Sequence, residues 1–102
     1  MRYTNLDPNK IPKEAVPLLP LAEKWGLGDD YEREETITNA TDDELKELSN
    51  CFESVNEEPI FDWLDGDESS NPNPPNEYLA ITCLSMAVYS ARSELEKRNK
   101  VN

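Results

Sequence analysis

The chain has 102 residues, enough for one hydrophobic core and no second one. Twenty-two Asp and Glu stand against ten Lys and Arg with no histidine, giving a net charge of −12 and a mean hydropathy of −0.80. Such a field repels nucleic acid and anionic membrane, and the missing imidazole removes every Ser-His and Cys-His nucleophile pair and the commonest metal ligand.

The charge is concentrated in the middle of the chain. Residues 1–28 and residues 69–102 each carry four bases and three acids, whereas Asp29–Glu68 holds sixteen acids against Arg33 and Lys46, a net of −14. The opening "MRYTNLDPNK" has no apolar run to act as a secretion signal. The longest apolar-rich segment, Tyr78–Ala91, is interrupted by Thr82, Ser85 and Ser90 and is too short to span a bilayer. These features predict a cytoplasmic protein without membrane contact, in which Cys51 and Cys83 stay reduced and form no disulfide.

No alternating run of β-branched or aromatic residues reaches four positions, so no sheet is expected; helix punctuation recurs instead. Residues 1–12 read as an irregular N-terminal segment. In "PKEAVPLLPLAEKW" Leu18, Leu21, Ala22 and Trp25 share a face, while Pro17 and Pro20 each remove a backbone bond. A kink is expected there, or a true start near Pro17. Gly26 stands where a left-handed C-cap usually sits, and Asp29 is placed to cap the next helix, with Asp30 and Glu32 in its first turn. "WGLGDD" is thus punctuation between helices, and its two aspartates would repel a phosphate. The second helix, about Asp30–Thr38, offers only Tyr31 and Ile37 as large apolar residues and is expected to hold the core loosely.

The third helix opens with "TDDE", a capping box of Thr41 with Glu44, and carries the stripe Leu45, Leu48, Phe52 and Val55. Cys51 flanks the stripe as a small buried hydrophobe. "EEPIFDWLDG" reads as a short fourth helix with Pro59 at its first position and Gly66 just beyond its end. At about 100° per residue, Phe61 and Trp63 fall at opposite edges of an apolar arc centred on Ile60 and Leu64, so one of the two rings is expected to be half exposed. Residues 66–76 form a Pro/Asn/Ser loop in which Asn73 or Asn76 caps the last helix.

That helix, about residues 75–98, carries Ile81, Leu84, Val88, Ala91 and Leu95 in one stripe and the small residues Cys83, Ala87 and Ala91 in a second. With Leu79, Met86 and Tyr89 in further directions, it belongs at the centre of a bundle. Arg92, Lys97, Arg98 and Lys100 read as solvated and matched to the C-terminal dipole, and residues 99–102 as a mobile tail. The prediction is a single all-α domain over residues 1–102, a small bundle of four to five helices around the long C-terminal helix. Leu18, Leu21, Trp25, Leu45, Leu48, Phe52, Ile60 and Leu64 pack against that helix.

Little catalytic chemistry is on offer. The two cysteines are too far apart in sequence for a zinc site, and Gly26, Gly28 and Gly66 do not make a phosphate loop. "DWLDGDES" invites a calcium reading, but Phe61 and Trp63 occupy ligand places and Pro72 stands where the closing Glu is needed. No catalytic, cofactor or metal residue is expected, and the chain is not read as an enzyme.

The order of a capped amphipathic helix, a short aromatic helix and a final helix after a Pro-containing loop is similar to that of small acidic helical immunity proteins, which neutralise basic bacterial nucleases. The resemblance covers about the last two thirds of the chain and is one of plan and charge, without diagnostic residues. It implies an inhibitor-like protein with a basic partner. The favoured reading is therefore a small acidic cytoplasmic interaction protein, a monomer or weak homodimer. It would engage a basic protein through Asp62, Asp65, Asp67 and Glu68, with Phe61 or Trp63 as the aromatic anchor. The alternative is a carboxylate-based cation-binding or catalytic protein using the 62–68 acidic cluster. The plainest reading is a helical domain whose acidity serves solubility.

Overall fold

A computed structural model describes residue 3, residues 5–66 and residues 72–100. Among the described residues are five α-helices and no strand: α1 (Leu19–Trp25), α2 (Asp30–Asn39), α3 (Asp42–Ser49), α4 (Glu57–Leu64) and α5 (Asn76–Lys100). Two 3-10 stretches, Pro8–Lys10 and Lys13–Leu18, precede α1.

α5 lies against α1, α2 and α3, with Ile81, Leu84, Ala87 and Ala91 fully buried along it. Leu18, Trp25, Leu45, Leu48, Phe52 and Ile60 are buried in the same core, while Leu21 and Leu64 are only partly covered at its edge. Met86 and Tyr89 are exposed, so α5 is covered on its inner faces and open on one outer face. It runs two residues beyond the expected end at 98, and the remaining tail, residues 101–102, lies outside the described residues. The Pro75 carbonyl accepts the Leu79 N–H at 3.2 Å, so Asn76 is the first helical residue and not a cap.

The prolines divide the first helix in two. Pro17 falls inside the tighter 3-10 stretch, and α1 starts at Leu19 so that Pro20 sits in the first turn, where an N–H has no partner within the helix anyway. Gly26 is not left-handed: its φ is −78° and ψ is 61°, and the Leu27 N–H donates across it to the Trp25 carbonyl at 2.9 Å, an inverse γ-turn. Space is what demands glycine here. A Cβ would stand 2.4 Å from the Ala22 carbonyl oxygen and 2.8 Å from that of Ala80 on α5.

Asp29 caps α2 through the N–H groups of Tyr31 and Glu32, at 2.8 and 3.1 Å. The capping box of α3 forms in both directions: Glu44 N–H to Thr41 Oγ1 at 3.2 Å, and Thr41 N–H to Glu44 Oε1 at 3.1 Å. α3 stops at Ser49, six residues short of the end of the apolar stripe that suggested a longer helix. From Asn50 to Val55 the chain continues as turns, and Cys51 and Glu53 N–H groups donate three residues back. Ser49 and Ser54 hydroxyls bond carbonyls three residues earlier, which competes with the α-ladder. The three-residue spacing survives in the turns, so Phe52 still reaches the core. Pro59 is the third residue of α4 and not the first, still within the turn that needs no N–H bond.

The N-terminal segment, irregular but for the 3-10 stretch Pro8–Lys10, is tied into the core. Leu6 and Ile11 are buried, and the Asp7 N–H donates at 2.9 Å to Glu77 in the first turn of α5, where the dipole favours a carboxylate. Arg92 and Arg98 are not simply solvated. Arg92 donates to the Ser49 carbonyl at 3.0 Å, where α3 ends. Arg98 donates to the carbonyls of Thr38 and Ala40 and to Asp42, bridging the α2–α3 junction to the last turns of α5. α2 is held by buried Ile37, by that bridge, and by Arg33, which is only 8% exposed and donates to the Leu27 carbonyl while pairing with Asp30. Tyr31, the other apolar candidate, is exposed.

Candidate functional site

α4 is positioned from its two sides. It packs on the Lys13–Leu18 stretch with Ile60 fully buried. Its C-terminal end is tied to α5 by Tyr78, whose hydroxyl donates to the Leu64 carbonyl at 2.8 Å and whose ring meets Trp63 edge-on at 5.4 Å. Between these attachments α4 does not lie flat on α5, and a groove of about 270 Å³ runs between the two helices.

Four apolar or aromatic residues, Phe52, Phe61, Val88 and Tyr89, and four polar ones, Glu53, Glu57, Ser85 and Arg92, line it. Phe61 from α4 is 39% exposed and its ring lies 5.4 Å from that of Phe52, tilted by 30°; Tyr89 on α5 is 71% exposed. Arg92 lies 4.0 Å from Glu53 as well as bonding the Ser49 carbonyl, which leaves Glu57 as the uncompensated charge of the groove. Exposed rings beside such a carboxylate suit a guanidinium or ammonium group, and a cation over a ring contributes about 0.5–2 kcal/mol.

Of the residues singled out in the sequence, the structure brings Phe61 into this groove. It places Trp63 elsewhere, half-buried against Tyr78. Asp62 and Asp65 are exposed on α4 and at its C-cap. Asp67 and Glu68 lie outside the described residues. Sequence reasoning missed Tyr89, Glu53 and Glu57. Tyr89 was legible as a ring well off the Ile81, Leu84 and Val88 stripe. Glu53 and Glu57 were not: a helix through Val55 would have aimed Glu53 differently from the turns that are present, and Glu57 opens α4, which was read as starting at Pro59.

A second hollow, about 580 Å³ and wide open, lies between α1, α2 and α3. Lys24 is among its lining residues, 5.2 Å from the Trp25 ring centroid and 3.2 Å from Glu44. The Thr41 N–H, and next the Lys24 ammonium, hold the Glu44 carboxyl below its ordinary 4.5. Glu32 and Glu35 line this hollow as well, but its one aromatic residue, Trp25, is buried, so it exposes no ring to a cation as the smaller groove does.

Neither cysteine is in a disulfide. Burial pushes the Cys51 thiol up to about 11 and raises that of Cys83 as well, the opposite of nucleophile activation. Among the described residues no group of three or more Cys, Asp or Glu is arranged to hold a metal ion, and no helix is long and apolar enough to cross a membrane. Compared with known proteins, the chain matches no family model, no curated protein and no solved structure. The geometry alone carries the functional reading.

Proposed function

We propose that this is an interaction protein that takes a cationic side chain of a basic protein partner into the groove between α4 and α5. The observation that carries the reading is that the half-exposed Phe61 ring and the exposed Tyr89 ring line one groove together with Glu53 and Glu57. Phe61 and Tyr89 are the anchors. Asp62, Asp65 and the rest of the acidic segment steer the partner in, a rate effect that salt screens. On this reading the protein works as a monomer in a reducing cytoplasm, and nucleic acid and anionic membrane are kept away by its charge.

The test compares wild type with folded Phe61→Ala and Tyr89→Ala variants against a panel of purified basic proteins, at about 50 mM and about 500 mM salt. A partner should be held by wild type at low salt. Loss of a desolvated anchor costs more than about 2 kcal/mol, so each variant should release that partner at least tenfold faster. Asp62→Lys combined with Asp65→Lys should slow association at low salt only. Unchanged rates in all folded variants would sink the reading.

A further inference from the structure

We infer that the side chain taken by the α4–α5 groove is a single arginine and not a lysine, with its edge on Glu57 and its face against Phe61. This rests on the function proposed for the groove and adds which cation enters it. At about 270 Å³ the groove is smaller than the roughly 300–1,000 Å³ of sites that enclose a whole small molecule, so it has room for the head of one side chain.

Charge sets the number. Glu53 and Glu57 line the groove with Arg92, an excess of one acid. Arg92 takes Glu53 at 4.0 Å, and no hydrogen bond or ion pair engages Glu57 among the described residues. One cation balances that carboxylate, and a second would meet Arg92 with no acid left to offset it.

Helix geometry sets the shape. Glu57 opens α4 and Phe61 follows four positions later, so the two share one face of the helix with their Cβ atoms about 5–6 Å apart. A carboxylate and a ring therefore stand side by side. Phe61 is backed by Phe52, with ring centroids 5.4 Å apart and planes tilted by 30°. Tyr89 adds a second exposed ring from α5.

A guanidinium matches such a pair. Two parallel N–H groups on one edge meet the two oxygens of a single carboxylate, while its weakly hydrated face stacks on an aromatic ring. An ammonium is a compact, strongly hydrated point charge with three donors. It can turn one donor toward Glu57, but Phe52, Phe61 and Val88 accept neither of the others.

The experiment titrates the full protein with alanine-based peptides that carry one arginine, lysine, trimethyl-lysine or citrulline, following the ring resonances of Phe61 and Tyr89 at about 50 mM salt. The arginine peptide should shift both rings and bind at least about fivefold more tightly than the lysine and trimethyl-lysine peptides. Citrulline keeps the shape without the charge and should leave the rings unmoved. Glu57→Gln, a change at an exposed position, should weaken the arginine peptide at least about fivefold and bring it level with trimethyl-lysine on the same variant. Lysine or trimethyl-lysine binding as tightly as arginine, or an arginine preference that survives Glu57→Gln, overturns the inference. The groove reading stands in either case if Phe61→Ala abolishes the shift of the Tyr89 ring. If no cationic peptide moves either ring, the inference falls together with the reading beneath it.

Discussion

A methyl group at Gly26 has nowhere to go, because the atoms it would meet at 2.4 and 2.8 Å are both backbone oxygens, one of them on α5. Gly26→Ala must push α1 away from α5 and should cost about 1–3 kcal/mol, read as a lower urea midpoint. Torsion would have been the wrong explanation. The local signals at Asp29 and Thr41–Glu44 were legible because each partner lies within three residues, whereas part of the constraint on Gly26 comes from Ala80, far along the chain. Cys51 supplies a pH test. Its thiol stands near 9.0 when exposed and is pushed up to about 11 by burial, so the native state binds the extra proton between those values. Stability should therefore fall as pH rises from about 9 toward about 11, and Cys51→Ala should flatten that part of the curve in thermal melts.

At the scale of elements, periodicity and capping signals together located the five α-helices of the described residues, but the stripe alone could not place the end of α3. Leu45, Leu48, Phe52 and Val55 serve a helix and a chain of three-residue turns equally well, so their spacing does not choose between the two; the serine hydroxyls at 49 and 54 bond carbonyls within the turns that form. What holds α2 and α3 to the end of α5 was not legible, since it depends on Arg98 meeting carbonyls about sixty residues earlier. One planar guanidinium serves Thr38, Ala40, Asp42 and Glu94 together. Arg98→Ala should accelerate amide exchange at the end of α2 and the start of α3 while leaving α1 protected. Arg98→Lys should not restore protection, because a single ammonium lacks the fork that spans these acceptors. Equal exchange in wild type and Arg98→Ala would mean that the bridge contributes nothing.

For the molecule as a whole, the core around α5 was readable from stripes, and the groove was not, because it exists only through the way α4 leans on the Lys13–Leu18 stretch. Leu84 and Leu48 are fully buried, so either replaced by Ala should cost about 2–5 kcal/mol, a large share of the about 5–15 kcal/mol that holds a domain together. Salt has two opposed effects. It weakens pairs such as Lys24–Glu44 and Arg98–Asp42, and it relieves repulsion among sixteen acids in the Asp29–Glu68 segment that have two bases beside them. Repulsion outnumbers pairing, so the urea midpoint should rise as sodium chloride goes from about 10 mM to about 500 mM. The central position of α5 also has a consequence in time. A ribosome adds about 5–20 residues per second, so residues 1–75 wait several seconds for the helix on which Leu18, Trp25 and Leu45 will close. Until then those side chains have no core to enter, and a fragment ending at Pro75 should give the circular dichroism of a largely unfolded chain. Birth order thus leaves the nascent acidic segment as the chain's own protection against sticking to its neighbours, so the charge that destabilises the finished fold guards the unfinished one.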